Sequence, residues 1–241
     1  MCQLMARMKK GQIKSLQGLI SSGRPLIVGT IHEKTGLRSI LRGTAPLRAL
    51  DLIEVRLDCL GAVALPEKWP LPVIATARHP QEGGRGNLSR SKRAGLLEDA
   101  VVWSSAIDVE LRSSRPLAPV IAHAHQHGRT VILSHHDFKA TPTLTVLRGL
   151  AARASDGGAD LFKVAAHLRD RNDLLRLIEF QAGGSPVPVV TMGMGNAGRF
   201  SRVVLGGFGA PLCYGWLGKP QVPGQWPAAE LRGLLDNVLP T

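Results

Sequence analysis

Short runs rich in Val, Ile and Leu alternate along the chain with longer segments whose apolar positions return every three or four residues. The first pattern predicts strands and the second amphipathic helices. Strands are expected at "PLIVGTI" (25–31), "LDLIEVRLD" (50–58), "PVIATAR" (72–78), "AIDVEL" (106–111), "TVILSHHDF" (130–138), "LFKVAA" (161–166), "VPVVTMGM" (187–194) and "LCYGWL" (212–217). Helical period marks 89–103, 116–127, 142–156, 170–182, 199–207 and 227–238, with polar or glycine-containing boundaries. Strand, helix, strand in repetition implies a parallel sheet. Eight such units, with no G-x-G-x-x-G after an early strand, favour closure into a single (β/α)8 TIM barrel, an α/β fold, over an open doubly wound sheet. The stretch "CLGAVALPEKWP" (59–70) is short and interrupted by proline, so the second helix is expected to be shortened. No linker, charge block or repeat divides the chain. One barrel domain, 25–241, is expected after an N-terminal extension, 1–24.

Side chains alternate along a strand, so Glu54, Arg56 and Asp58 share one side of "LIEVRLD" while Ile53, Val55 and Leu57 take the other. The same rule groups Thr76 with Arg78, Asp108 with Glu110, and Ser134 with His136. A barrel interior is ordinarily filled with branched apolar residues, and its functional groups converge at the C-terminal ends of the strands. Charged residues at five such ends predict a polar pocket for an ionic or hydroxylated ligand. Buried ion pairs, Glu54 with Arg56 and Asp108 with Arg78, are the structural alternative.

Composition fits this picture: 44% hydrophobic and 20% charged residues, with mean hydropathy near zero, belong to a globular chain with a core. No apolar run is long enough to span a bilayer, and the basic N-terminus lacks the apolar stretch and cleavage site of a secretory signal. Cys2, Cys59 and Cys213 are odd in number and far apart, which fits a reducing, cytoplasmic setting and offers no zinc spacing. The net charge of +12 suggests nucleic acid, a membrane surface or a small anionic substrate as partner, and by itself does not choose among them. Nucleic acid is disfavoured, because the basic residues are scattered and only 4% of the chain is aromatic.

Lys163, inside "DLFKVAAHL", stands out within an apolar run. A lysine held there is paired, reaches water from the strand end, or has its pKa lowered by burial until the free amine attacks a carbonyl. A histidine on the neighbouring strand, able to move protons, favours covalent catalysis through a Schiff base.

"EVRLD", "ATARHPQEGG", "IDVEL", "SHHDFKATP", "LFKVAA", "MGMGNAGRFSR" and the terminal "VPGQ" resemble, in order and spacing, the motifs of type I 3-dehydroquinate dehydratase over residues 25–238. The resemblance implies a (β/α)8 barrel that converts 3-dehydroquinate to 3-dehydroshikimate in the shikimate pathway, with no metal or organic cofactor. It implies that Lys163 forms the imine, that His136 and not His135 is the general acid and base, and that Glu82 orients it. Asp108 would assist from behind. Arg202 would clamp the substrate carboxylate, Glu54, Arg56 and Arg78 would hold the ring hydroxyls, and Gln221 and Gln225 would belong to a closing loop after strand 8. Barrels of this family commonly pair, so a homodimer is expected.

Three positions depart from the family pattern: Gln221 replaces a serine of the closing loop, and Ala210 and Cys213 stand where hydroxyl residues are usual near strand 8. These departures leave room for altered substrate preference or for a catalytically silent dehydroquinate-binding protein, and a Schiff-base aldolase is a further alternative. Two other features carry less. "HAHQH" (123–127) puts two histidines one helical turn apart without an accompanying carboxylate in the sequence. "MGMGNAG" (192–198) has the glycine content of a phosphate loop and little else.

Overall fold

The computed structural model describes residues 16–20 and 23–239. Most of the expected N-terminal extension therefore lies outside the described residues. Eight parallel strands form one sheet: β1 (Leu26–Ile31), β2 (Leu52–Arg56), β3 (Val73–Thr76), β4 (Ala106–Glu110), β5 (Thr130–Asp137), β6 (Leu161–His167), β7 (Val189–Met194) and β8 (Leu212–Trp216). Ladders run in the order β7-β6-β5-β4-β3-β2-β1-β8, and contact between β7 and β8 brings the barrel close to closure. The helices are α1 (Leu16–Ile20), α2 (Lys34–Leu41), α3 (Leu57–Leu60), α4 (Arg90–Ala100), α5 (Ala118–Gln126), α6 (Leu144–Asp156), α7 (Arg171–Ala182), α8 (Gly198–Gly207) and α9 (Ala228–Val238).

All eight predicted strands and all six predicted helices are present, with slightly different ends. The expected shortening after β2 is real: α3 is a single turn of four residues. Helix α2 is an addition, since "KTGLRSIL" is short and buries only Gly36, Leu37 and Ile40. Side-chain caps fix three of the helix starts. Ser89, Thr143 and Asp170 accept hydrogen bonds from the backbone N–H groups of Lys92, Val146 and Asp173.

Strand alternation produces two cores. Residues facing outward, such as Ile53, Val55, Ile107, Val109 and Phe162, pack against the helices. There Phe162 meets Phe180 of α7 edge to face at 6.4 Å. Residues facing inward form a second cluster, including Leu26, Val28, Leu52, Ile74, Ile132 and Leu161, with Leu16 of α1 fully buried against it. The inward positions nearer the N-terminal strand ends are thus apolar, and the positions beyond them are Thr30, Glu54, Thr76, Asp108, Ser134 and Lys163, all buried. The polar site rests on an apolar floor. No helix among the described residues is long and apolar enough to cross a membrane.

Candidate active site

Glu54, Arg56, Arg78, Glu82, His136, Lys163, Arg202, Gln221 and Gln225 all line one cavity of about 240 Å³ at the C-terminal end of the barrel. Register explains the central pair. Ser134 on β5 is opposite Lys163 on β6, and His136 is opposite Ala165, so His136 stands one inward step above Lys163 on the adjacent strand. His135 has the opposite parity. Its surroundings include Arg153 of α6, outside the barrel, and burial lowers its pKa.

Lys163 is not a lone ammonium in an apolar wall. Its sequence neighbours Phe162 and Val164 face the helices, whereas its own side chain meets carboxylates. Nζ forms an ion pair with Asp108 and lies 3.9 Å from Glu54 Oε1. Glu54 is held in turn by hydroxyls donated from Thr30 and Thr76, each at 2.9 Å. Asp108 therefore touches the lysine directly instead of assisting from behind. Burial would raise its carboxyl, but the Arg78 and Lys163 charges hold it far below the usual carboxylate range.

Arg78 organises the wall beside them, donating to Asp108 Oδ1 at 2.8 Å, Glu110 Oε1 at 3.1 Å and Ser134 Oγ at 2.7 Å. The Asp108–Arg78 pair expected from the sequence is therefore present. The Glu54–Arg56 pair is not. Strand β2 ends at Arg56, and the turn of α3 folds Asp58 back onto the guanidinium, which donates to it at 2.9 and 2.8 Å. Asp58 also accepts from the backbone N–H groups of Arg78 and Arg85, at 3.1 and 2.9 Å. Burial works against its ionised form, but the Arg56 hydrogen bonds and charge, with these N–H donors, keep its carboxyl below the ordinary value.

Glu82 closes a 3-10 turn, Pro80–Glu82, that follows β3. The two glycines after it are required by geometry. Gly83 has φ +83°, and a Cβ at Gly84 would lie 2.2 Å from the Arg78 carbonyl oxygen. The turn places Glu82 Oε2 2.9 Å from His136 Nδ1 and 3.0 Å from the His136 backbone nitrogen, whose N–H donates to it. Burial pushes the Glu82 carboxyl up to about 7, against the pull of Arg78. Burial, then the Arg78 and Lys163 charges, push His136 well below the ordinary histidine value. A neutral imidazole whose Nδ1–H donates to a carboxylate keeps Nε2 available as a base.

Arg202 reaches the cavity from α8. Its Nε donates to the Gly224 carbonyl at 3.0 Å and its Nη1 to the Tyr214 carbonyl at 3.0 Å. Burial lowers its pKa to about 10, and among the described residues it forms no ion pair. A buried guanidinium without a carboxylate partner is a site for an anion.

The loop after β8 lies across the mouth. Gln221 Oε1 accepts from Arg56 Nη1 at 3.4 Å, and the Gln221 backbone N–H donates to Gln225 Oε1 at 2.7 Å. At Gly224, φ is +86° and a Cβ would lie 2.4 Å from the Gly195 carbonyl oxygen, so the loop seats on the β7–α8 turn through glycine. Gln225 is thus committed to the loop backbone, while Gln221 reaches across the cavity.

The other two departures lie elsewhere. Cys213 faces outward from β8 into the helix-side core, and Ala210 precedes β8 at the opposite end of the barrel. Neither lines the cavity, so neither has a route to substrate preference by contact. The histidines of "HAHQH" do have carboxylate neighbours that the local sequence hides: His123 Nδ1 is 3.3 Å from Glu98 and His125 Nε2 is 3.2 Å from Asp160. Among the described residues no group of three or more His, Cys, Asp or Glu is arranged to hold a metal ion. Thr30, Met192, Met194 and Tyr214 also line the cavity and were not singled out from the sequence. Their inward parity on β1, β7 and β8 was the available signal.

The sequence model of type I 3-dehydroquinase matches residues 35–238. A 3-dehydroquinate dehydratase of Methanosarcina barkeri is 32% identical, over 87% of this chain and 93% of its own length. That of Methanococcoides burtonii is 29% identical, over 89% and 95%. The crystal structure of type I 3-dehydroquinate dehydratase from Clostridium difficile, with covalently modified comenic acid, superposes with a TM-score of 0.79 at 28% identity, covering 90% of this chain and 93% of that one. In sequence and in barrel architecture alike, the chain belongs to the type I 3-dehydroquinase family.

Proposed function

We propose that the protein dehydrates 3-dehydroquinate to 3-dehydroshikimate, with Lys163 as the imine-forming amine and His136 as the proton carrier. One observation carries the reading. Lys163 and His136, on adjacent strands, open into the same cavity as a buried arginine, Arg202, that has no carboxylate partner among the described residues.

Nζ bonds to the ring ketone carbon, and two of the three ammonium protons leave with the carbonyl oxygen as water. The iminium withdraws electrons from the neighbouring carbon and acidifies its C–H, so a base as modest as imidazole removes that proton. His136 then delivers the proton to the departing hydroxyl, the C–O bond breaks, and a second water is lost. Hydrolysis of the conjugated iminium consumes one water and returns the ketone and the lysine. Arg202 binds the substrate carboxylate, Glu82 orients His136, and Glu54, Arg56 and Gln221 offer partners to the ring hydroxyls.

Borohydride reduction in the presence of 3-dehydroquinate tests the covalent step. The expected result is a mass gain confined to Lys163. No adduct under conditions where substrate demonstrably binds rejects the imine. His136→Ala is expected to keep the adduct but lose about 100-fold or more in turnover, and His135→Ala to change little. The reverse pattern would reassign the base.

A further inference from the structure

Tyr214 lies against the nitrogen on which the proposed reaction depends. Its ring centroid is 4.6 Å from Lys163 Nζ, and the residue is 4% exposed. Its hydroxyl is buried and has no hydrogen-bond partner among the described residues. Burial, then Glu54 and Asp108, raise the phenol well above its ordinary value, so it stays neutral. A neutral phenol that makes no hydrogen bond acts here through its ring face.

The contacts of Lys163 differ in how they survive imine formation. Asp108 holds the ammonium through an N–H group, while Glu54, 3.9 Å away, acts through charge alone. An ammonium can turn any of three N–H groups toward Asp108, whereas an iminium has only one, whose direction is fixed by the C=N plane. Attraction between a cation and an aromatic face requires charge and proximity but no N–H. We propose that the Tyr214 ring is a cation-stabilising residue of the site that favours the iminium on Lys163 Nζ over the ammonium, because the planar iminium can lay its charge on the ring face while the ammonium turns its N–H groups to Asp108. The proposal rests on the imine reading of Lys163 and adds a residue to it. It also assigns the two parts of Tyr214 separately: the ring is functional and the hydroxyl is dispensable.

Trapping with borohydride under subsaturating 3-dehydroquinate tests this, with Tyr214→Phe as the reference. That variant is expected to trap within about threefold of the unmodified protein and to be no less stable to heat, since it removes an unpartnered buried polar group. Mono-, di- and trifluorophenylalanine are then incorporated at position 214. Fluorine is close to hydrogen in size and weakens the negative potential of the ring face stepwise, so a steric role predicts equal trapping across the series. The expected result is a graded fall, about tenfold from phenylalanine to the trifluoro residue, with melting temperatures unchanged. Tyr214→Leu should lose at least as much. Equal trapping across the fluorinated series overturns the role of Tyr214 and leaves Lys163 standing. Absence of an adduct in the unmodified protein overturns the imine itself.

Discussion

Glu82 and His136 are the residues whose ionisation is most tightly tied to geometry. With Glu82 ionised, Nδ1–H of His136 donates to it and Nε2 is free. With Glu82 protonated, the carboxylic acid can donate to Nδ1, which moves the ring proton to Nε2 and removes the base. The carboxyl is pushed up to about 7, so kcat/KM is expected to rise with pH through an apparent value near 7. In Glu82→Gln that limb should shift or disappear, together with most of the activity, as a pH–rate profile would show. The stability effect has the opposite sense. A carboxyl whose folded value is raised favours folding below its unfolded value near 4.3, and that contribution is lost as pH rises through about 7. Glu82→Gln should therefore raise the melting temperature at pH 8 more than at pH 4. At this scale the sequence revealed inward parity, which brought Lys163, His136 and the carboxylates to one side. Their partners were less legible. Arg56 pairs with Asp58 because β2 ends and the chain turns, a boundary that strand alternation does not contain.

Among the elements, α3 shows how a shortened connection contributes to the site. The single turn leaves no helix of ordinary length between β2 and β3, but it points Asp58 at two side-chain and two backbone donors. Asp58 thereby ties β2 to the segment after β3 that carries Glu82. Asp58→Asn keeps the size but loses the charge opposite buried Arg56. It is expected to destabilise the fold by about 3 kcal/mol and to raise KM severalfold, measured by denaturant unfolding and steady-state kinetics. Strands were easy to read because their inner and outer faces both need side chains of defined polarity. Helix α2 was missed because "KTGLRSIL" presents few apolar positions over little more than two turns. The seating of the β8 loop was also illegible, since it depends on Gly195, Gly198 and Gly224 meeting in space.

For the molecule as a whole, net charge and buried carboxylates set the response to acid. Asp58, Asp108 and Asp173 are held below their ordinary values, so their contribution is present above about pH 4 and is lost as pH falls through the folded values. His136 adds a gentler loss below its unfolded value near 6.5, because the folded state resists its protonation. Protonation also adds positive charge to a chain that already carries +12. Melting temperature is expected to change little between pH 7 and 5, where the gain from Glu82 opposes the loss from His136, and to fall steeply below pH 4, with added salt restoring part of that fall by screening repulsion. A steep loss already complete at pH 5 would mean that these aspartates do not govern acid unfolding.

Among the described residues the apolar floor of the barrel, completed by Leu16, closes the interior at the N-terminal ends of the strands, opposite the cavity. In the proposed chemistry, water released as the imine forms and water released as the ring hydroxyl leaves must exit by the route the substrate entered, past Gln221 and the loop seated on α8. Hydrolysis then needs one water back. A loop that stays closed could retain that molecule between steps, whereas an open loop would exchange it with solvent. Turnover in heavy-oxygen water, read as the label on the product ketone, would distinguish a retained water from a replaced one.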